Sequence, residues 1–84
     1  MRTVKIRFNS INSVLEFVKI MEREPMKANV ESDRVRLRAT SLLGLLSVEF
    51  YKPYNLVLQG DEKASEKVVG KLSEYLVREQ EVPL

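Results

Sequence analysis

A two-layer α+β sandwich, with helices covering one face of a four-stranded antiparallel sheet, is the fold class this sequence predicts. Two observations carry it. Stretches in which apolar and polar residues alternate, such as RVRLRA at 34–39, are interleaved with segments whose apolar residues return every three or four positions. Their order is strand, helix, strand, strand, helix, strand, helix, and it uses nearly all of the 84 residues without an internal repeat, a low-complexity tract or a linker. The expectation is one domain over 1–84, with 79–84 as a frayed tail.

Each element has its own local reason. In VKIRF at 4–8, Val4, Ile6 and Phe8 alternate with Lys5 and Arg7, the period of a strand with one buried face. Helical spacing follows over 12–23, where Val14, Phe17, Val18 and Met21 form a stripe with Leu15 at its edge. Ser13 and Glu16 have the spacing of a capping box, with Asn9, Ser10 and Asn12 as alternative caps. Pro25 ends the helix, because proline disfavours helical geometry in the residue before it. Strands over 27–31 and 34–39 follow, joined by a tight turn around Ser32 and Asp33. In the second, Val35, Leu37 and Ala39 face one way and Arg34, Arg36 and Arg38 the other. A short apolar helix over 42–48 ends before Lys52 and Pro53, and 55–59 is the fourth strand. The last helix starts at a cap on Asp61 or Gly60 and buries Val68, Val69, Leu72, Tyr75 and Leu76. Glu62 complements the positive end of its dipole.

Composition narrows the chemistry. The chain has no cysteine and no histidine, so disulfides, thiolate metal sites and imidazole proton transfer are excluded. No cluster of nucleophile, base and orienting group can be read among its carboxylates, lysines and tyrosines. The protein is therefore expected not to be an enzyme and to need no cofactor or metal. A net charge of +2 is too small to argue for nucleic acid by itself. No segment has the length of a membrane span, and the alternating start MRTVKIRF is unlike a signal core, so a cytoplasmic protein without membrane association is expected.

The segment SLLGLLS, residues 41–47, sets a hydroxyl ahead of four leucines around a glycine. It is similar to the regulatory-serine segment of HPr, the phosphocarrier of the bacterial sugar phosphotransferase system (PTS). The preceding strand pair, the turn at Gly60, Asp61 and Glu62, the final helix and Phe17-Val18-Lys19 in the first helix fall in the same order and at similar spacing. The resemblance covers essentially the whole chain and implies an HPr-like βαββαβα fold.

HPr proteins carry phosphate on a histidine that opens the first helix, followed closely by arginine and proline. In this register Ser10 stands at the histidine position, Asn12 at the arginine and Ser13 at the proline. A phosphoimidazole is a reactive phosphoramidate, whereas a serine phosphate is a stable ester, so relay through this helix is not expected. Ser10 and Ser13 then read as caps. The combination resembles the Crh-type branch, in which the regulatory serine remains without the active histidine.

That resemblance implies a regulatory adaptor, phosphorylated at Ser41 by an HPr kinase/phosphorylase and then acting on a LacI-type catabolite regulator. The residues support a switch on separate grounds. Phosphate on Ser41 would add about −1.5 to −2 charge beside an apolar run, at a helix N-terminus that accepts anions. Arg38 is a candidate to pair with it, and Thr40 is a competing hydroxyl. A helix this short buries only some of its leucines. By resemblance Leu42, Leu43 and Leu46 form the partner-facing patch, while Leu45 belongs to the core. Resemblance to the Crh type also admits a homodimer formed by strand exchange.

Two rival readings are a protein-binding module that uses the same patch without phosphorylation, and a nucleic-acid binder built on the Arg34, Arg36 and Arg38 face. Against the last, RNA-reading sheets need exposed aromatics for stacking, and these positions are basic. The arginines read as a solvated sheet face.

Overall fold

Apolar alternation and helical stripes resolve, in a computed structural model that describes residues 1–77, into seven elements. They are β1 (Arg2–Ile6), α1 (Ile11–Glu22), β2 (Ala28–Glu31), β3 (Arg36–Arg38), α2 (Leu42–Leu45), β4 (Tyr54–Leu58) and α3 (Glu62–Lys71). The strands form one antiparallel sheet in the order β1-β4-β2-β3. Val4, Leu56, Val30 and Leu37 make one inward row across it, and Ile6 pairs with Tyr54 in the next. The outward rows are polar except for Val57: Thr3, Val57, Asn29 and Arg38 in one, Lys5, Asn55, Glu31 and Arg36 in the other. One face is therefore core and the other is wet, as expected of an antiparallel sheet with helices on one side.

The α1 stripe of Val14, Phe17, Val18 and Met21 is buried throughout. Phe8, fully buried just beyond β1, meets Phe17 edge-to-face at 5.0 Å, and Tyr75 meets Phe17 in the same manner at 5.5 Å. Such pairs stabilise by about 0.5–1.5 kcal/mol beyond the area they bury. The cap of α1 is Ser10, whose Oγ accepts the Ser13 N–H at 3.2 Å. Asp61 caps α3, accepting the Ala64 N–H at 2.7 Å. Tyr51, before β4, takes a left-handed φ of 66°, and its N–H donates to the Phe8 carbonyl at 2.7 Å. That bond ties the β1–α1 and α2–β4 loops together.

Most boundaries fall within one or two residues of those read in the sequence, β1 ending at Ile6 with Phe8 beyond it, and three differences change the picture. Arg34 lies in the turn and not in β3: Ser32 and Val35 exchange backbone hydrogen bonds of 2.8 and 3.4 Å around Asp33 and Arg34. The helix expected over 42–48 stops at Leu45, with turns after it. The expected long final helix ends at Lys71, and Tyr75 to Val77 instead run along the outer edge of β1. There the Arg7 N–H donates to the Tyr75 carbonyl at 2.9 Å, and the Val77 N–H to the Lys5 carbonyl at 3.0 Å. Covering that edge removes a row of unpaired strand groups. The tail 79–84 lies outside the described residues.

Ser65 is the polar exception inside α3. It is fully buried, and its hydroxyl has no hydrogen-bond partner among the described residues. A buried unsatisfied hydroxyl costs about 1–3 kcal/mol, and alanine is the better helix former. Ser65→Ala should therefore raise the thermal midpoint by about 4–8 °C, the shift that 1 kcal/mol produces in a domain of this size. Calorimetry checks this, and a lowered midpoint would show that the hydroxyl is satisfied in solution.

Candidate functional site

Two neighbouring surfaces carry the residues singled out from the sequence. The first is the start of α1. Ser10 is held at φ −164° and ψ 170°, the extended geometry of an N-cap, and its Oγ also lies 3.2 Å from the Ser13 Oγ. Ser10 and Asn12 are exposed, and they share a shallow cleft with Arg7, Glu16, Glu74 and Tyr75. Burial, and then the nearby Glu16 and Glu74 carboxylates, push the Tyr75 phenol above its usual pKa. That hydroxyl stays protonated near neutral pH and is no proton acceptor. The hydroxyls of Ser10 and Ser13 are engaged in closing the helix end.

The second surface is α2, which rests against α1 and β3. Ser41 caps it at φ −88° and ψ 94°, half-buried, its Oγ 3.4 Å from the Gly44 nitrogen. That distance makes a weak bond. The helix approaches the sheet at Gly44, where a Cβ would come within 3.0 Å of the Leu37 Cδ2. Around one helical turn the four leucines point in different directions, and docking against α1 and β3 buries one of them. Leu45 is completely buried, whereas Leu43 is 86% exposed, Leu46 39% and Leu42 37%. A hydroxyl of intermediate exposure thus sits directly beside three solvent-facing leucines.

Other expectations about this surface need adjustment. With four residues, α2 has one turn of free N–H groups, so the anion-stabilising helix end expected from the sequence is small. Arg38 offers its backbone carbonyl to the Ser41 N–H at 3.0 Å, but its side chain lines a hollow with Asn29, Thr40 and Gln59. Among the described residues no hydrogen bond or ion pair joins its guanidinium to Ser41. Arg36 is 3.1 Å from the Glu31 carboxylate, and Arg34 is in the turn, so the three arginines do not act as one stripe.

Two large apolar residues add to the exposed surface and were not singled out by sequence reasoning: Ile11 at 57% and Tyr51 at 69%. Ile11 has the spacing of a core residue relative to Val14 and Val18, so its exposure is visible only in three dimensions. The Tyr51–Phe8 backbone bond brings the loops that carry Tyr51 and precede Ile11 together.

No protein-family model matches the chain, and no curated protein matches it. Solved structures do. The chain is similar to HPr-C-His from Thermoanaerobacter tengcongensis, with a TM-score of 0.69 and 23% identity over 88% of this chain and 93% of that one. The fold is that of the HPr-like proteins. A second HPr-like neighbour is Crh of Bacillus subtilis, a catabolite repression protein described as a domain-swapped, intertwined dimer. It aligns with a TM-score of 0.61 and 23% identity, covering 87% of this chain and 88% of that one. The HPr-like strand and helix order read from the sequence is the order observed. No helix among the described residues is long and apolar enough to cross a membrane.

Proposed function

We propose that this HPr-like chain is a regulatory adaptor that docks a protein partner through Leu42, Leu43 and Leu46, under the control of phosphorylation at Ser41. The observation that carries the reading is the split within α2, where Leu45 enters the core and three leucines beside Ser41 face solvent. Apolar side chains exposed together, next to a modifiable hydroxyl, suit an interface whose affinity changes with charge. The Oγ gives up little on modification, because its hydrogen bond to Gly44 is weak. The partners that fit are an HPr kinase/phosphorylase acting on Ser41 and a LacI-type catabolite regulator binding the modified surface.

Phosphoryl relay through α1 is not part of this function. The sequence contains no histidine, and Ser10 serves as the helix cap. A homodimer formed by strand exchange is compatible with the reading and is not required by it.

Incubation with ATP and an HPr kinase, followed by intact-mass measurement, tests the switch. The wild type should gain one phosphate and Ser41→Ala none. Equal labelling of both variants would move the modification elsewhere, with Thr40 the nearest alternative hydroxyl. Partner binding that proceeds undiminished in Ser41→Ala would favour a docking module that needs no phosphate.

A further inference from the structure

We propose that the rim of the sheet at the start of β2 binds a small organic phosphomonoester, held by Lys27 and Arg38 together with Asn29, Thr40 and Gln59. This site adjoins the Ser41 cap through Arg38 and Thr40, but it uses none of the exposed leucines and does not depend on the function proposed for them.

The strand register assembles it. The Gln59 N–H donates to the Lys27 carbonyl at 2.9 Å, which sets Gln59 beside Lys27. On the other side the Ala39 N–H donates to the Ala28 carbonyl at 3.0 Å and Asn29 faces Arg38, so Thr40 lies across from Lys27. Arg38 is then the diagonal neighbour of Lys27, a separation that long side chains span. Ala28, Ala39 and Leu58, which alternate with these residues, are buried in the core. The five polar side chains therefore turn to the outer face together. They line one hollow of about 300 Å³ at the end of the sheet, whose apolar wall is made by Met21, Met26, Ala28 and Ala39. That volume is at the small end of ligand sites, with room for a compact molecule and none for a helix.

Charge selects the ligand. Arg2, Lys19, Arg36, Lys52 and Lys71 each lie within 4 Å of a carboxylate, on Glu66, Glu16, Glu31, Glu49 and Glu24. Lys27 and Arg38 have no such partner among the described residues, as is also true of Lys5, Arg23, Arg34, Lys63 and Lys67. Lys27 and Arg38, however, share one hollow, and no acidic residue lines it. Two other hollows on the molecule do contain carboxylates, from Glu31, Asp33 and Glu49 in one and Glu16 and Glu74 in the other. Paired cations without a counter-charge favour a dianion, and the guanidinium fork matches two phosphate oxygens at once. The Asn29 and Gln59 amides and the Thr40 hydroxyl can donate to further oxygens. The Met26 thioether supplies an apolar contact for carbon, which favours an ester over the bare ion.

Amide chemical shifts of isotope-labelled protein, titrated with glycerol phosphate, with inorganic phosphate and with chloride at matched ionic strength, provide the test. Saturable shifts should centre on Lys27, Asn29, Arg38, Thr40 and Gln59, with glycerol phosphate the tighter ligand. Lys27→Gln and Arg38→Gln, both at exposed positions that leave the fold intact, should each weaken binding by about tenfold. Lys63→Gln, on the exposed side of α3, should leave it unchanged. Shifts that do not saturate, that spread over all basic surfaces, or that fall equally in Lys63→Gln would overturn the site. Equal affinity for inorganic phosphate would overturn the assignment to an ester.

Discussion

Phe17→Ala should lower the thermal midpoint by about 15–35 °C, the largest effect expected of any single substitution in this fold. Phe17 is completely buried and joins two aromatic contacts, to Phe8 at 5.0 Å and to Tyr75 at 5.5 Å. Phe8 and Tyr75 also meet each other, at 6.1 Å. The trio binds α1 to the end of β1 and to the segment after α3, elements far apart in sequence. Truncating a buried phenylalanine costs about 3–5 kcal/mol, through lost transfer energy and the cavity left behind. A domain of this length has about 5–10 kcal/mol in total, so the variant would be at the margin of folding. Phe17→Leu, which retains most of the volume, should cost about 1.5 kcal/mol or less. Thermal melts followed by far-ultraviolet circular dichroism check both. A fall of only a few degrees in Phe17→Ala would mean that the core closes over the gap.

On the function proposed above, Leu43→Asp should do the reverse, weakening partner binding while leaving stability almost untouched. Leu43 is the most exposed of the four leucines, at 86%, so the folded state loses little by the change. A charge at the centre of an apolar interface removes a contact and leaves a carboxylate to be desolvated, a loss of about 2 kcal/mol or more. Binding of the Ser41-phosphorylated protein to a LacI-type regulator, measured calorimetrically, should weaken by about thirtyfold or more. Leu45→Ala, one full core side chain removed, should show up first as instability. Unchanged affinity in Leu43→Asp would remove the leucine surface from the interface.

These two positions show how unevenly the molecule was legible. Val14, Phe17, Val18 and Met21 were assigned to the core from their spacing, and all four are buried. Asp61 was one of two caps offered for α3, and the structure selects it. In the SLLGLLS segment, by contrast, spacing said only that some leucines must stay outside. Which ones did depends on how α2 docks against α1 and β3, with Gly44 allowing a close approach to Leu37. The Lys27 hollow left no sequence signal at all. Its polar residues come from three strand ends, and Lys27 and Gln59 are neighbours only because β4 lies between β1 and β2. Tyr75 and Leu76 continue the spacing of α3, yet pairing with β1 offers their backbone a better partner.

What the chain determined alone was therefore the kind and order of its elements, their buried faces and several of their ends. Periods of two and of three to four residues are written among near neighbours, and caps act within one turn. The tertiary structure decided which apolar residues were left to solvent, which edge was covered and which cations came together without a carboxylate. Those outcomes follow from strand register and helix docking, contacts between residues tens of positions apart that no local period encodes.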